Sequence, residues 1–219
     1  MLLSLLRPFF AAFHSWLEPK LFLFFGPAKD ELLKPLKNLD SPHNTLQVLE
    51  IGIGNGANFQ YYPPNFRITA LDVNDHFEKY LKENVKKYEI TLEKLVFCKA
   101  EDMKEIADDS MDIVVSTLLL CCVEDPYRVI KEIKRVLKSD GKWIFLEHGR
   151  FRGKMFHNLI QWLLNPLTYI IGAGCRLTRK IDFMIESVHF SSVDIKYREI
   201  AKYGFTLPIF PHYYGIAVK

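Results

Sequence analysis

The chain has 219 residues, 49% of them hydrophobic, enough for one domain with a sizeable core and no need of a second. Its 29 Lys and Arg exceed 26 Asp and Glu only slightly, and without a basic stripe neither RNA nor DNA is expected as a partner. Cys98, Cys121, Cys122 and Cys175 show no C-x-x-C spacing and no histidines at zinc-finger distances, so neither a disulfide framework nor a metal site is expected. The adjacent pair Cys121 and Cys122 lies in an apolar run and reads as core.

Residues 1–27, "MLLSLLRPFFAAFHSWLEPKLFLFFGP", are crowded with Leu and Phe. Arg7, His14, Glu18 and Lys20 interrupt them and Pro8, Pro19 and Pro27 divide them, so the roughly 20 apolar residues of a membrane span are not reached. At about 100° per residue, Phe9, Phe10, Phe13, Trp16 and Leu17 share an arc of about 120° opposite His14, Ser15 and Glu18. This predicts a short, proline-broken amphipathic helix lying in a membrane interface, with Leu21 to Phe25 dipping in beside it. A cleaved signal peptide is not expected, because the early charge is a single arginine and the apolar run is short.

Residues 28–45, ending in the turn-rich "KNLDSPHNT", are expected to link this segment to a domain over 46–219. There, strands are predicted at Leu46 to Ile51, Arg67 to Asp72, Lys94 to Lys99, Asp112 to Leu118 and Lys142 to Glu147. Helices are predicted at Asp75 to Tyr88 and Asp125 to Leu137, and an apolar helix over 153–172. "VDIKYREI" and "YYGIAVK" read as two late strands forming an antiparallel hairpin at the sheet edge. The expected fold is α/β: a doubly wound, mostly parallel seven-stranded Rossmann-like sheet with an antiparallel C-terminal strand.

The chemistry concentrates in "VLEIGIGNGAN". A dinucleotide fingerprint needs G-x-G-x-x-G, but Gly52, Gly54 and Gly56 bring the third glycine one residue too early. Alternate glycines leave bare backbone for a ligand to lie against. Glu50, just before the turn, suits a ligand ammonium and would repel pyrophosphate. A cationic, phosphate-free cofactor follows, and S-adenosylmethionine fits. Asp72, ending the second strand, is placed to take both ribose hydroxyls, assisted by Asn74. After the third strand, Glu101 and Asp102 are expected to meet the adenine amino group, with Met103 against the ring.

These motifs resemble the methyltransferase-like 7 family, membrane-associated alkyl thiol methyltransferases of class I. Its pattern "LLEVGxGxGANFxxYPP", an Asp, "FEK", "AEDM", "CTLVLCSV" and "GGxxxFxEH" is matched in order by "VLEIGIGNGANFQYYPP", Asp72, "HFEKYL", "KAEDM", "VVSTLLLCCV" and "GKWIFLEH". The similarity continues through "NPLTYIIGAGCRLTR" to "PHYYGIAVK". This chain departs from the family in having Val73 where proline usually follows the aspartate, Asn55 where Thr is common, and a shorter apolar N-terminus.

The resemblance implies methyl transfer to small lipophilic thiols at the cytosolic face of the endoplasmic reticulum or on lipid droplets. A quinone or lipid acceptor, or a non-catalytic membrane protein retaining the cofactor domain, are the alternatives. Strand C-termini face the cofactor crevice in such sheets, which makes His148 the expected base, with His212 second. The acceptor pocket is expected from Trp162 to Gly174 together with Tyr61, Tyr62 and the late tyrosines.

Overall fold

In a computed structural model, residues 2–39, 44–202 and 205–219 are described, without the side chains of residues 2, 3, 21–24, 200–202 and 205–210. Seven strands form one sheet in the order β3-β2-β1-β4-β5-β7-β6. They are β1 (Leu46–Ile51), β2 (Phe66–Asp72), β3 (Thr91–Phe97), β4 (Met111–Thr117), β5 (Leu137–His148), β6 (Ser192–Lys202) and β7 (Phe205–Val218). The first five run parallel, β7 pairs antiparallel with β5, and β6 closes the edge as the other arm of the hairpin.

The parallel strands are apolar on both faces because both are covered: Val48, Leu49 and Ile51 of β1 are all fully buried. Alternation along β5 divides the core into two layers. Trp143 and Phe145 pack with α4 (Pro126–Val136) and α6 (Ile181–Glu186), while Ile144 and Leu146 face the layer containing Leu81 of α3 (Glu78–Lys87). The Asp125 side chain caps α4 by accepting from the backbone N–H groups of Tyr127 and Arg128, and Pro126 follows at the first helical position.

The N-terminal region departs from expectation. After α1 (Leu2–Leu5), a single 27-residue helix, α2 (Arg7–Leu33), runs through both Pro19 and Pro27. Each proline removes a backbone donor, and burial of Ala11, Phe25, Ala28, Leu32 and Leu33 along the helix supplies compensating tertiary packing. The expected linker is therefore helical through Leu33 and then a 3-10 turn at Lys34–Leu39, with Leu36 buried; residues 40–43 lie outside the described residues. The expected dip of Leu21 to Phe24 also falls on side chains outside them. The short α6 gave no sequence signal. The helix α5 (Met155–Ile171) keeps Pro166 inside it.

Leu33 is fully buried against the sheet whereas Phe9, on the same helix, is 67% exposed. Leu33→Ala is expected to destabilise the fold by about 2–5 kcal/mol in urea denaturation, and Phe9→Ala to stay within about 0.5 kcal/mol.

Candidate active site

Strand order reverses between β1 and β4, so a crevice is expected at their C-terminal ends. The turn leaving β1 holds Gly52, Gly54 and Gly56 at φ 70°, 54° and 80°, which side chains strain to adopt. A β-carbon at Gly56 would stand 2.5 Å from the Phe59 ring, whereas at Gly54 the nearest atoms are those of Phe77, at 3.9 Å. Packing therefore demands Gly56, whereas at Gly54, itself buried, a β-carbon would meet the Phe77 ring only at ordinary contact distance and the positive φ is the constraint.

Asp72 ties this turn to the end of β2. Its Oδ2 accepts from the Gly54 N–H (2.9 Å) and its Oδ1 from the Asn74 N–H (2.8 Å). Burial raises its pKa, opposed by the backbone N–H groups of Asn74, Gly54 and Val73 and by Arg7. Each carboxylate oxygen has two lone pairs, so the group can hold the turn and still accept from a ligand hydroxyl.

Glu50 is fully buried beside the turn. Its Oε1 accepts from Asn58 Nδ2 (2.8 Å) and its Oε2 from the Tyr62 hydroxyl (2.6 Å). Burial pushes its pKa up to about 7, against the pull of Tyr62, Asn58 and Lys29. Lys29, from α2, is itself buried, and that burial lowers its pKa while Glu18 and Glu50 raise it. Asn58, Tyr62 and Lys29 are partners that sequence reasoning missed: Lys29 lies outside the glycine motif, and tyrosine spacing does not reveal a buried hydrogen bond.

Helix α2 covers this end of the sheet. Asn74 Nδ2 donates to the Arg7 carbonyl (3.0 Å), and Phe10 and His14 set their rings edge-on against Phe77. Asn74 also accepts from the His76 N–H and so caps the 3-10 turn Asp75–Phe77. Its role is to fix the loop and the helix above it.

The residues expected around adenine do not converge as a set. Glu101 Oε1 accepts from the Glu124 and Asp125 N–H groups and so holds the start of α4. Met103 is fully buried in the core with Ile106, Val129 and Ile130, and only Asp102, ion-paired with Lys104, is half exposed. Adjacency in a loop does not set the direction of each side chain.

His148 ends β5, opposite His212 in the β5–β7 register. Phe25 of α2 packs on both rings, at 5.5 Å from His148 and 4.9 Å from His212. His148 Nδ1 lies 4.0 Å from the Sγ atoms of both Cys121 and Cys175. The expected acceptor pocket is corrected on two counts. The Tyr61 hydroxyl donates to the partly exposed Asp30 and the Tyr62 hydroxyl to the buried Glu50. Trp162 and Leu163 of α5 face outward, 64% and 62% exposed.

Comparison with known proteins agrees with this geometry. A family model described as "Methyltransferase domain" matches residues 49–145. Thiol S-methyltransferase TMT1B of Rattus norvegicus is 40% identical over 192 residues, 87% of this chain and 78% of that protein. Thiol S-methyltransferase TMT1A of Homo sapiens is 34% identical over 223 residues, 96% of this chain and 91% of that protein. The chain belongs to the thiol S-methyltransferase family. A solved SAM-dependent methyltransferase of Thermotoga maritima has the same fold, with a TM-score of 0.63 at 15% identity over 100% of this chain and 99% of that one.

The protein is thus a methyltransferase and its methyl donor is S-adenosylmethionine. The residues present fit that donor: a buried acid for the ammonium, Asp72 with acceptor capacity for ribose hydroxyls, and between them a turn whose positive φ angles call for glycine. A cationic ligand needs Glu50 ionised, and its pKa lies near 7. Cofactor affinity measured by calorimetry is therefore expected to be roughly tenfold weaker at pH 6 than on the plateau above pH 7, with Glu50→Gln weaker and nearly flat. The unliganded fold shows the opposite trend. A raised carboxyl pKa gives stability present below about pH 4.5 and lost as pH rises through about 7, and Glu50→Gln removes that contribution.

Proposed function

We propose that the protein transfers the methyl group of S-adenosylmethionine to small lipophilic thiols at a membrane or lipid-droplet surface. The observation that carries this reading is 34% to 40% identity, over most of the chain, to proteins named thiol S-methyltransferase. When bound, the sulfonium supplies an electrophilic methyl carbon. The chain's own work is to hold the acceptor sulfur in line, exclude water and take a proton.

His148 is the group we assign to the proton. A free thiol has a pKa of about 8.5 and needs modest help at neutral pH. The His148 Nε2 is enclosed and has no hydrogen-bond partner among the described residues, while its Nδ1 faces sulfur. An acceptor S–H donating to Nε2 would pass its proton to the imidazole as sulfur attacks the methyl carbon. Asp72, Glu50, Gly52, Gly54 and Gly56 hold the donor on this reading, with Asn74 as support.

Surface chemistry supports a lipid setting. Helix α2 turns its polar side, His14 and Ser15, toward the domain and its aromatic side outward, with Trp16 61% exposed and Phe9 stacked on Phe13. Exposed apolar residues also run along α5, from Met155 and Phe156 through Leu159 and Trp162 to Ile171. Among the described residues no helix is long and apolar enough to cross a membrane. Attachment in the interface plane suits both helices.

The test offers labelled S-adenosylmethionine with an alkyl thiol beside matched alcohol, amine and quinone acceptors. Thiol-selective transfer is expected, slowed about 100-fold at pH 7 in His148→Gln with cofactor affinity kept. Transfer to the quinone alone would overturn the thiol assignment. For the surface, wild-type protein is expected to sediment with phosphatidylcholine vesicles. Trp16→Glu combined with Trp162→Glu is expected to stay in the supernatant with unchanged cofactor affinity, and sedimentation of that variant would refute the attachment.

A further inference from the structure

The loop leaving β4 and the turn following α5 bring three sulfur atoms together. The Sγ atoms of Cys121, Cys122 and Cys175 all lie within 4.8 Å of one another, and those of Cys121 and Cys122 are 3.5 Å apart. All three are free thiols. Sulfurs bound tetrahedrally at about 2.3 Å from one ion stand about 3.8 Å from each other, so the spacing already approaches what a shared ion requires. Sequence spacing hides this, because Cys175 reaches the pair only through the fold.

The surroundings suit thiolates better than a plain apolar cluster does. Arg179, buried, donates from its guanidinium to the carbonyls of Leu120 and Val123. Arg176 donates from its side chain to the same Val123 carbonyl and from its backbone N–H to the Cys121 carbonyl. A divalent ion with three thiolates carries one net negative charge; the two guanidinium groups on carbonyls of the same loop favour it, and the buried Glu147, which accepts from the Leu120 N–H, opposes it when ionised. His148 Nδ1, 4.0 Å from two of the sulfurs, is positioned for an outer-shell hydrogen bond. The loop itself is under constraint: Leu118 holds φ at 57°, a conformation unfavourable for leucine.

We propose that Cys121, Cys122 and Cys175 bind one thiophilic cation, of which Zn2+ is the representative, through three sulfur atoms. Binding replaces three S–H bonds with three metal–sulfur bonds and releases three protons to solvent, with no change in oxidation state. The fourth position of a tetrahedral ion is then open to an exogenous ligand. The ion would fasten the loop after β4 to the end of α5 beside His148. This assignment does not depend on the acceptor being a thiol.

The test uses the full-length protein purified without chelators, with metal content read by mass spectrometry and Co2+ added to the metal-stripped protein. About one zinc per chain is expected, together with an intense sulfur-to-cobalt charge-transfer band, both lost in Cys122→Ser and in Cys175→Ser and kept in Cys98→Ser. Calorimetric binding of S-adenosylmethionine checks that each variant is folded. If Cys175→Ser fails that check, Cys122→Ser, at a half-buried position, carries the result. Wild-type protein that takes up neither ion while all four cysteines titrate as free thiols would overturn the site. Metal uptake untouched by both substitutions would overturn it equally. The readout needs no acceptor and no turnover, so failure of thiol methylation leaves it standing.

Discussion

The site depends on the Asp72 carboxylate, which is held by two backbone N–H groups from different loops. Oδ2 receives the Gly54 N–H and Oδ1 the Asn74 N–H, so one side chain fixes the glycine turn after β1 and the loop after β2 relative to each other. The second loop carries the Asn74 cap and Phe77, and on these rest Arg7, Phe10 and His14 of α2. From the cofactor turn to the N-terminal helix, each contact is set by the one before it. A buried carboxylate is costly unless hydrogen-bonded, and here the bonds that satisfy it also shape the cradle.

Helix α2 serves two surfaces. Its inner side is mixed, with Ala11, Phe25, Ala28, Leu32 and Leu33 buried beside polar groups: burial lowers the His14 pKa to about 4, with Lys29 acting in the same direction, and Lys29 in turn stands by Glu50. The outer side is aromatic. In a soluble domain a helix normally buries its apolar stripe and exposes the polar one. Near its N-terminus α2 departs from this, with Phe9 and Trp16 exposed and His14 turned inward, the arrangement that the proposed interfacial attachment would use.

The sheet was largely legible because buried parallel strands are short apolar runs bounded by turns. The pattern at Leu46–Ile51 matches β1 to the residue, and the two late strands form the hairpin that their short connection implies. The glycine turn, Glu50 and Asp72 stand together at the ends of β1 and β2, where the strand assignments place them, and their role toward the cofactor is part of the proposal. What escaped was set by contacts distant in sequence. Tertiary packing carries α2 through two prolines, Glu101 and Met103 serve α4 and the core, and Cys175 meets Cys121 only in the folded chain.

The most direct measurement is calorimetric titration of S-adenosylmethionine into wild-type protein and Asp72→Asn. Asparagine keeps the shape but gives up one acceptor oxygen and the charge. Cofactor affinity is expected to fall at least tenfold, with the variant still folded by circular dichroism. A folded Asp72→Asn protein that binds the cofactor as tightly as wild type would contradict the account of the cradle.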